Sequence, residues 1–276
     1  MTVFKDKVCV VTGAASGIGR AMALQLAQAG AMLALSDIDG DGLEETKALI
    51  GASNRVTSDV FDMTDPDAIA AYPEAVRSAL GPADFVFNVA GLTRVSSFEE
   101  MSMTAFEKVM DVNFYGVVRM AKGFLPQLLD TGGVLVNISS LFGLIGYPGQ
   151  THYCASKFAV RGFSETLAAE LSDKGVCVTS VHPGGVATNI VNNATIDALP
   201  EGVASHDQMK ANFDKAAITT PERAAEIILD GAAKRRRRVV VGRDAKMISF
   251  VQRMLPGSYA KVLTKFLSRA QSDPVS

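Results

Sequence analysis

The chain has 276 residues, 48% of them apolar, and a formal charge of only −2, so one large domain with a substantial core is expected. Its three cysteines (Cys9, Cys154, Cys177) are odd in number and lack metal-type spacing, so they read as free thiols of a reducing compartment. The first residues carry no signal-peptide pattern, and no apolar run approaches the ~20 residues that span a bilayer. A soluble, cytoplasmic protein is expected.

Val8 to Val11 form a short apolar run rich in β-branched residues and predict a buried strand. The run enters T-G-A-A-S-G-I-G, which places Gly13, Gly17 and Gly19 at a strand-to-helix junction. Ile18, Met22, Leu26 and Ala29 then recur on one helical stripe. Glycine at such a junction permits a tight turn and close backbone approach. The helix start aims free N–H groups and a positive dipole end at an anion such as a pyrophosphate. Strand-like runs follow at 32–37, 55–60, 85–90, 134–139, 176–181 and 239–242. Asp65-Pro66 and Thr220-Pro221 mark helix starts, and Thr104 to Glu107 reads as a capping box. Long helices are expected over 104–129 and 151–171. This alternation predicts an α/β fold: a Rossmann-type doubly wound parallel sheet of about seven strands with helices on both faces. Such sheets bind ligands beyond the carboxyl ends of their strands, where the Gly13 loop, Asn88, Ser140 and Pro183 all fall.

Tyr153 and Lys157 stand four residues apart in Y-C-A-S-K, one helical turn on the same face. A phenol of ordinary pKa near ~10 is a poor base at neutral pH, and an adjacent ammonium favours its phenolate. A hydroxyl such as that of Ser140 could hold a substrate oxygen against the phenol. Together they can move a proton to or from an alcohol or carbonyl oxygen. Competing chemistries find no support. His152, His182 and His206 lack H-E-x-x-H spacing, no metal site is expected, and no G-x-S-x-G elbow offers a hydrolase nucleophile. His152 is read as a helix-surface residue or a substrate contact.

With these residues in view the chain resembles the short-chain dehydrogenase/reductase family, in its classical subtype, over about residues 5–245. T-G-A-A-S-G-I-G, with Ser16 and Ile18 among its glycines, is similar to the family's cofactor loop. Asn88-Val89-Ala90-Gly91 resembles its N-N-A-G segment, with Val89 in place of an asparagine that usually braces the central sheet. Asn113, Ser140, Tyr153 and Lys157 match the family's catalytic set. Pro183, Gly184, Val186 and Thr188 match its P-G-x-V-x-T segment beside the nicotinamide. The resemblance implies that in the oxidative direction Tyr153 removes the alcohol proton while hydride passes to the cofactor. Ser140 would hold the substrate oxygen. Lys157 would lower the tyrosine pKa and hold the nicotinamide ribose, and Asn113 would orient a relay water. It also implies that Asp59 and Val60 flank the adenine and that the protein forms a homodimer or homotetramer.

Cofactor choice can be argued from charge. Asp37 ends the second predicted strand, where a carboxylate binds ribose hydroxyls and repels a 2′-phosphate. Ser16 and Ile38 occupy the positions where a cation would favour NADP, so NAD is expected. Candidate substrate walls are Leu92, Leu141, Phe142, Ile145, Tyr147 and Val191, which suggest a hydrophobic alcohol or ketone. The same fold would serve a 3-oxoacyl or steroid reductase, or a dinucleotide-sensing regulatory protein without turnover. A small helical lid is expected over about 186–218, followed by a basic amphipathic tail over about 243–276. From Lys234 to Ser276 the charge balance is +9, against −11 for the preceding residues. Two short amphipathic helices broken at Pro256-Gly257 would pack over the cleft, pack on a neighbouring subunit, or touch a membrane surface. Arg235 to Arg238 read as closing a helix. No aromatic stacking platform accompanies the charge run, so nucleic-acid binding is not expected.

Overall fold

The structure, a computed structural model, describes residues 2–52, 54–188, 195–196 and 217–261. Seven parallel strands form one sheet: β1 (Val8–Thr12), β2 (Met32–Asp37), β3 (Val56–Val60), β4 (Phe85–Asn88), β6 (Val134–Ile138), β7 (Cys177–Pro183) and β9 (Arg238–Val241). Their order across the sheet is β3-β2-β1-β4-β6-β7-β9, the doubly wound arrangement expected. β1, β6 and β7 are buried at every position, which explains why they read as continuous apolar runs rather than as alternation.

Helices cover both faces. On one side α1 (Gly17–Gln28), α2 (Gly40–Ile50) and α7 (Pro221–Ala233) close a core of Met22, Leu26, Leu33, Leu35, Phe87 and Ile228. On the other, α3 (Pro66–Leu80), α5 (Gly116–Thr131) and α6 (Thr151–Glu170) close one around Ile69, Met120, Phe124, Leu128 and Leu135. Two predicted starts carry the expected caps. Asp65 accepts from the N–H groups of Asp67 and Ala68, and Thr220 accepts from that of Arg223, each with proline at the first helical turn.

Other expectations change. The helix expected over 104–129 is α4 (Met103–Met110), a π-helical turn at Asp111–Tyr115, and α5. Its cap is Ser102, whose Oγ accepts from Ala105 N at 3.1 Å, so Thr104 lies inside the first turn instead of opening it. Arg235 to Arg238 do not close a helix as a group. α7 ends at Ala233, Arg235 turns back with φ +51°, and its guanidinium donates to the carbonyls of Gly132, Gly133 and Gly175. Arg238 already belongs to β9.

A second, two-stranded sheet pairs β5 (Arg94–Val95) with β8 (Thr195–Ile196). Most of the predicted lid, residues 189–194 and 197–216 with Val191 among them, lies outside the described residues. The tail begins as α8 (Arg243–Met254), and helical backbone resumes at Tyr259 after Pro256-Gly257. Residues 262–276 lie outside the description. Cys9, Cys154 and Cys177 are free and buried. Among the described residues, no helix is long and apolar enough to cross a membrane.

Candidate active site

The carboxyl ends of β1, β4, β6 and β7 bring most of the predicted residues to one edge of the sheet. The β1–α1 loop is built for close approach. Gly13 has φ +70°, and a Cβ there would lie 2.8 Å from the Ala90 backbone. A Cβ on Gly19 would fall 1.9 Å from the Gly13 carbonyl oxygen, so only glycine lets α1 start so near the strand. Ser16 caps α1 in extended conformation without a side-chain bond to the first turn. The loop is braced from α2: Thr46 donates to Ala14 O at 2.9 Å, and Arg20 donates to Thr46, Gly42 O and Glu45. Asp37 accepts from Ala15 N at 2.9 Å and from Asp39 N at 3.1 Å, which sets its carboxylate beside the same loop. Asp59 and Val60 end β3 next to Asp37, with Val60 exposed and the Asp59 carboxyl raised by burial.

β4 stops at Asn88 because Val89 and Ala90 both turn their N–H groups to Thr12 Oγ1, at 3.0 and 3.1 Å. Asn88 itself is buried and donates to Asn137, which donates in turn to Ser164 on α6. This chain of amides braces the central sheet where Val89 supplies no side-chain bond. Gly91 leaves space for two neighbours: a Cβ there would lie 3.1 Å from Asn113 Oδ1 and 3.4 Å from Lys157 Nζ. The Asn113 side chain is committed to structure. It accepts from Leu92 N at 2.9 Å and donates to Leu92 O and to Ser156 Oγ.

Ser140 ends the strand region of β6 in extended conformation, and its hydroxyl lies near enough to the Tyr153 phenol to pull that group's pKa downward. It also accepts from Phe142 N at 3.1 Å. Lys157 is almost wholly buried, donates to Ile138 O at 3.0 Å, and sits 5.6 Å from the Tyr153 ring centroid. Burial is the largest influence on both side chains. It pushes the half-buried Tyr153 phenol up to about 12, against a smaller downward pull from Ser140. It holds the Lys157 ammonium down at about 8. Lys157 is not among the influences on the tyrosine, so the lowering expected from it does not appear in the protein alone, where desolvation dominates.

Of the expected substrate walls, Phe142 and Tyr147 stack 4.8 Å apart, and Phe142 meets Tyr153 edge-on at 6.2 Å. Leu141 and Ile145 are instead core residues, buried with Leu144 against Ala245 of α8. Leu92 packs partly buried against the α5 side of the sheet. His152 is fully buried, which overturns its reading as a helix-surface residue.

Two residues that the sequence did not single out hold the site from behind. His182 on β7 bonds through Nδ1 to the Ser140 carbonyl at 3.2 Å, and through Nε2 to Ser180. Asp244, in the first turn of α8, accepts from Gly185 N at 2.8 Å. A Cβ on Gly184 would lie 2.1 Å from that carboxylate, which explains the glycine there. Among the described residues no group of His, Cys, Asp and Glu could hold a metal ion.

Residues 7–199 match the family profile described as short chain dehydrogenase. The chain is 43% identical to SadH of Mycobacterium tuberculosis, which is named as an oxidoreductase, over 95% of this chain and 96% of that one. It is 35% identical to a cyclohexanol dehydrogenase of Acinetobacter over 68% of this chain and 76% of the other. A Burkholderia phymatum short-chain dehydrogenase/reductase, solved in complex with NAD, superposes over the full length of both chains with a TM-score of 0.82 at 27% identity. Fold, strand-end residues and relatives agree: the chain belongs to the short-chain dehydrogenase/reductase family and is an oxidoreductase that uses a nicotinamide dinucleotide.

Proposed function

We propose that this enzyme interconverts a hydrophobic secondary alcohol and its ketone with NAD(H). The observation that carries the reading is the set gathered at the end of β6: Ser140, whose hydroxyl acts on the Tyr153 phenol, and Lys157, buried 5.6 Å from the tyrosine ring centroid. In the oxidative direction the Tyr153 phenolate accepts the alcohol proton while Ser140 holds the substrate oxygen. The raised phenol requires help before it acts as a base near neutral pH, and Lys157 is the cation placed to give it. Asn113 acts by fixing Leu92 and Ser156, and thereby the Gly91 gap over Lys157. The stacked Phe142 and Tyr147 form the apolar wall beside Tyr153, and the cyclohexanol dehydrogenase relative supports a secondary alcohol.

The residues present fit a dinucleotide, which supplies the hydride acceptor or donor when bound. Gly13, Ser16, Gly17, Ile18 and Gly19 would hold its pyrophosphate, and Asp37 its adenosine ribose. Asp59 and Val60 would flank the adenine. Asn88, Ala90 and Gly91 would line the middle of the crevice. Tyr153, Lys157, Pro183, Gly184, Val186 and Thr188 would take the nicotinamide side. NAD is favoured over NADP because Asp37 would meet the ribose while Arg20, the cation in the first turn of α1, is bound to Thr46, Gly42 and Glu45. Assembly as a homodimer or homotetramer through α5 and α6 fits the exposed Phe158 on α6 and Tyr115 just before α5.

Titration of the purified protein with NADH and NADPH, read by nicotinamide fluorescence, tests the cofactor. NADH should bind more tightly, and Asp37→Ala should narrow the gap by about tenfold or more, the scale of a lost charge-assisted hydrogen bond. Tighter NADPH binding by the unaltered protein would overturn the assignment.

A further inference from the structure

We infer that the outer face of α8 is a docking surface for an anionic lipid bilayer. The helix has two unlike sides. Ala245 and Ile248 pack inward on Leu141, Leu144 and Ile145, and the helix's one carboxylate, Asp244, is turned to the Gly185 N–H. On the opposite side Met247, Phe250 and Met254 recur at helical spacing and are 59%, 65% and 62% exposed. Large apolar side chains this exposed, aligned on one helix, form a patch and are not scattered surface hydrophobes. Arg243, Lys246 and Arg253 are exposed around the same stripe, and Lys261 follows. From Ala245 to Ser272 the sequence contains no Asp or Glu, so nothing on this stretch offsets those cations.

The charge pattern selects the occupant. A stable protein partner needs about 800 Å² on each side, more than a stripe three side chains long offers. An interfacial helix needs only an apolar edge sunk to the head-group boundary with cations beside the lipid phosphates. The body of the protein, at −11 for the residues before Lys234, would be repelled by an anionic bilayer, so docking would orient the molecule with α8 towards the lipid. The inner side of α8 rests on the turn that follows Ser140, and the Tyr259 hydroxyl oxygen accepts from Gly146 N in that turn at 3.1 Å. If the proposed hydrophobic alcohol is the substrate, this brings the bilayer to the side of the molecule that carries the Ser140 turn.

Flotation of the purified full-length protein tests the surface, with vesicles of phosphatidylcholine alone and with about 30 mol% phosphatidylserine added. The protein should rise with the phosphatidylserine vesicles and remain below with phosphatidylcholine. Phe250→Ser combined with Met254→Ser should cut the floated fraction by about tenfold, since it removes the part that enters the lipid. Both side chains are exposed, so the melting temperature should not move. Failure to float with either vesicle would overturn the proposal, as would flotation that the double variant leaves unchanged. A fall in oligomeric mass of the variant would assign the face to a second copy of the chain instead. Flotation reads binding without turnover, so its failure leaves the assigned reaction standing.

Discussion

Ser140 shows how a single position depends on what lies behind it. Its hydroxyl pulls the Tyr153 phenol downward, while its carbonyl is held by His182, which burial keeps neutral down to about pH 4. The folded protein thus resists protonating this ring, and the unfolded chain protonates it near its ordinary value of 6.5. Below about 6.5 the unfolded state binds more protons, so stability falls as pH drops towards 4. The melting temperature should decrease by several degrees over that window, and His182→Gln should flatten the slope. An unchanged slope in the variant would remove His182 from the account. Sequence alone could place Ser140, Tyr153 and Lys157, because their spacing is local and their chemistry specific. It could not find His182, whose partner carbonyl is 42 residues away and leaves no periodic trace.

Elements were legible where burial imposes a pattern. The parallel strands, buried on both faces, appear as unbroken apolar runs, and the caps at Asp65 and Thr220 appear with their prolines. Where a long-range bond decides the boundary, the sequence is silent. β4 ends at Asn88 because Thr12, 77 residues before Val89, takes the next two N–H groups. Thr12→Val keeps the shape but leaves both donors unpaired in a partly buried crevice. The expected loss is about 1–3 kcal/mol in urea unfolding, the cost of stranded polar groups, and a loss below ~0.5 kcal/mol would show that other acceptors replace the hydroxyl. The helix expected over 104–129 is present as unbroken helical backbone, and what was not legible is the π-turn at Asp111–Tyr115 inside it. That turn carries Asn113 to Leu92, a bond 21 residues long that local periodicity does not encode.

At the scale of the whole molecule, the chain closes on itself through Asp244, whose bond to Gly185 ties α8 to the loop after β7 across 59 residues. Asp244→Ala should free that loop and raise the KM for the dinucleotide by about tenfold, the effect of one lost charge-assisted bond. Asp244→Asn, which keeps an acceptor, should recover most of the loss. Equal effects from both variants would show that charge, not the hydrogen bond, matters there. The central claim is that Tyr153 moves the proton of an alcohol substrate in a nicotinamide-dependent oxidation. It is tested most directly by following reduced-nicotinamide absorbance with NAD and a panel of secondary alcohols, comparing the unaltered protein with Tyr153→Phe. The account predicts turnover that falls by about 10²–10⁴-fold in the variant while cofactor binding is retained. Turnover that survives in Tyr153→Phe would contradict it.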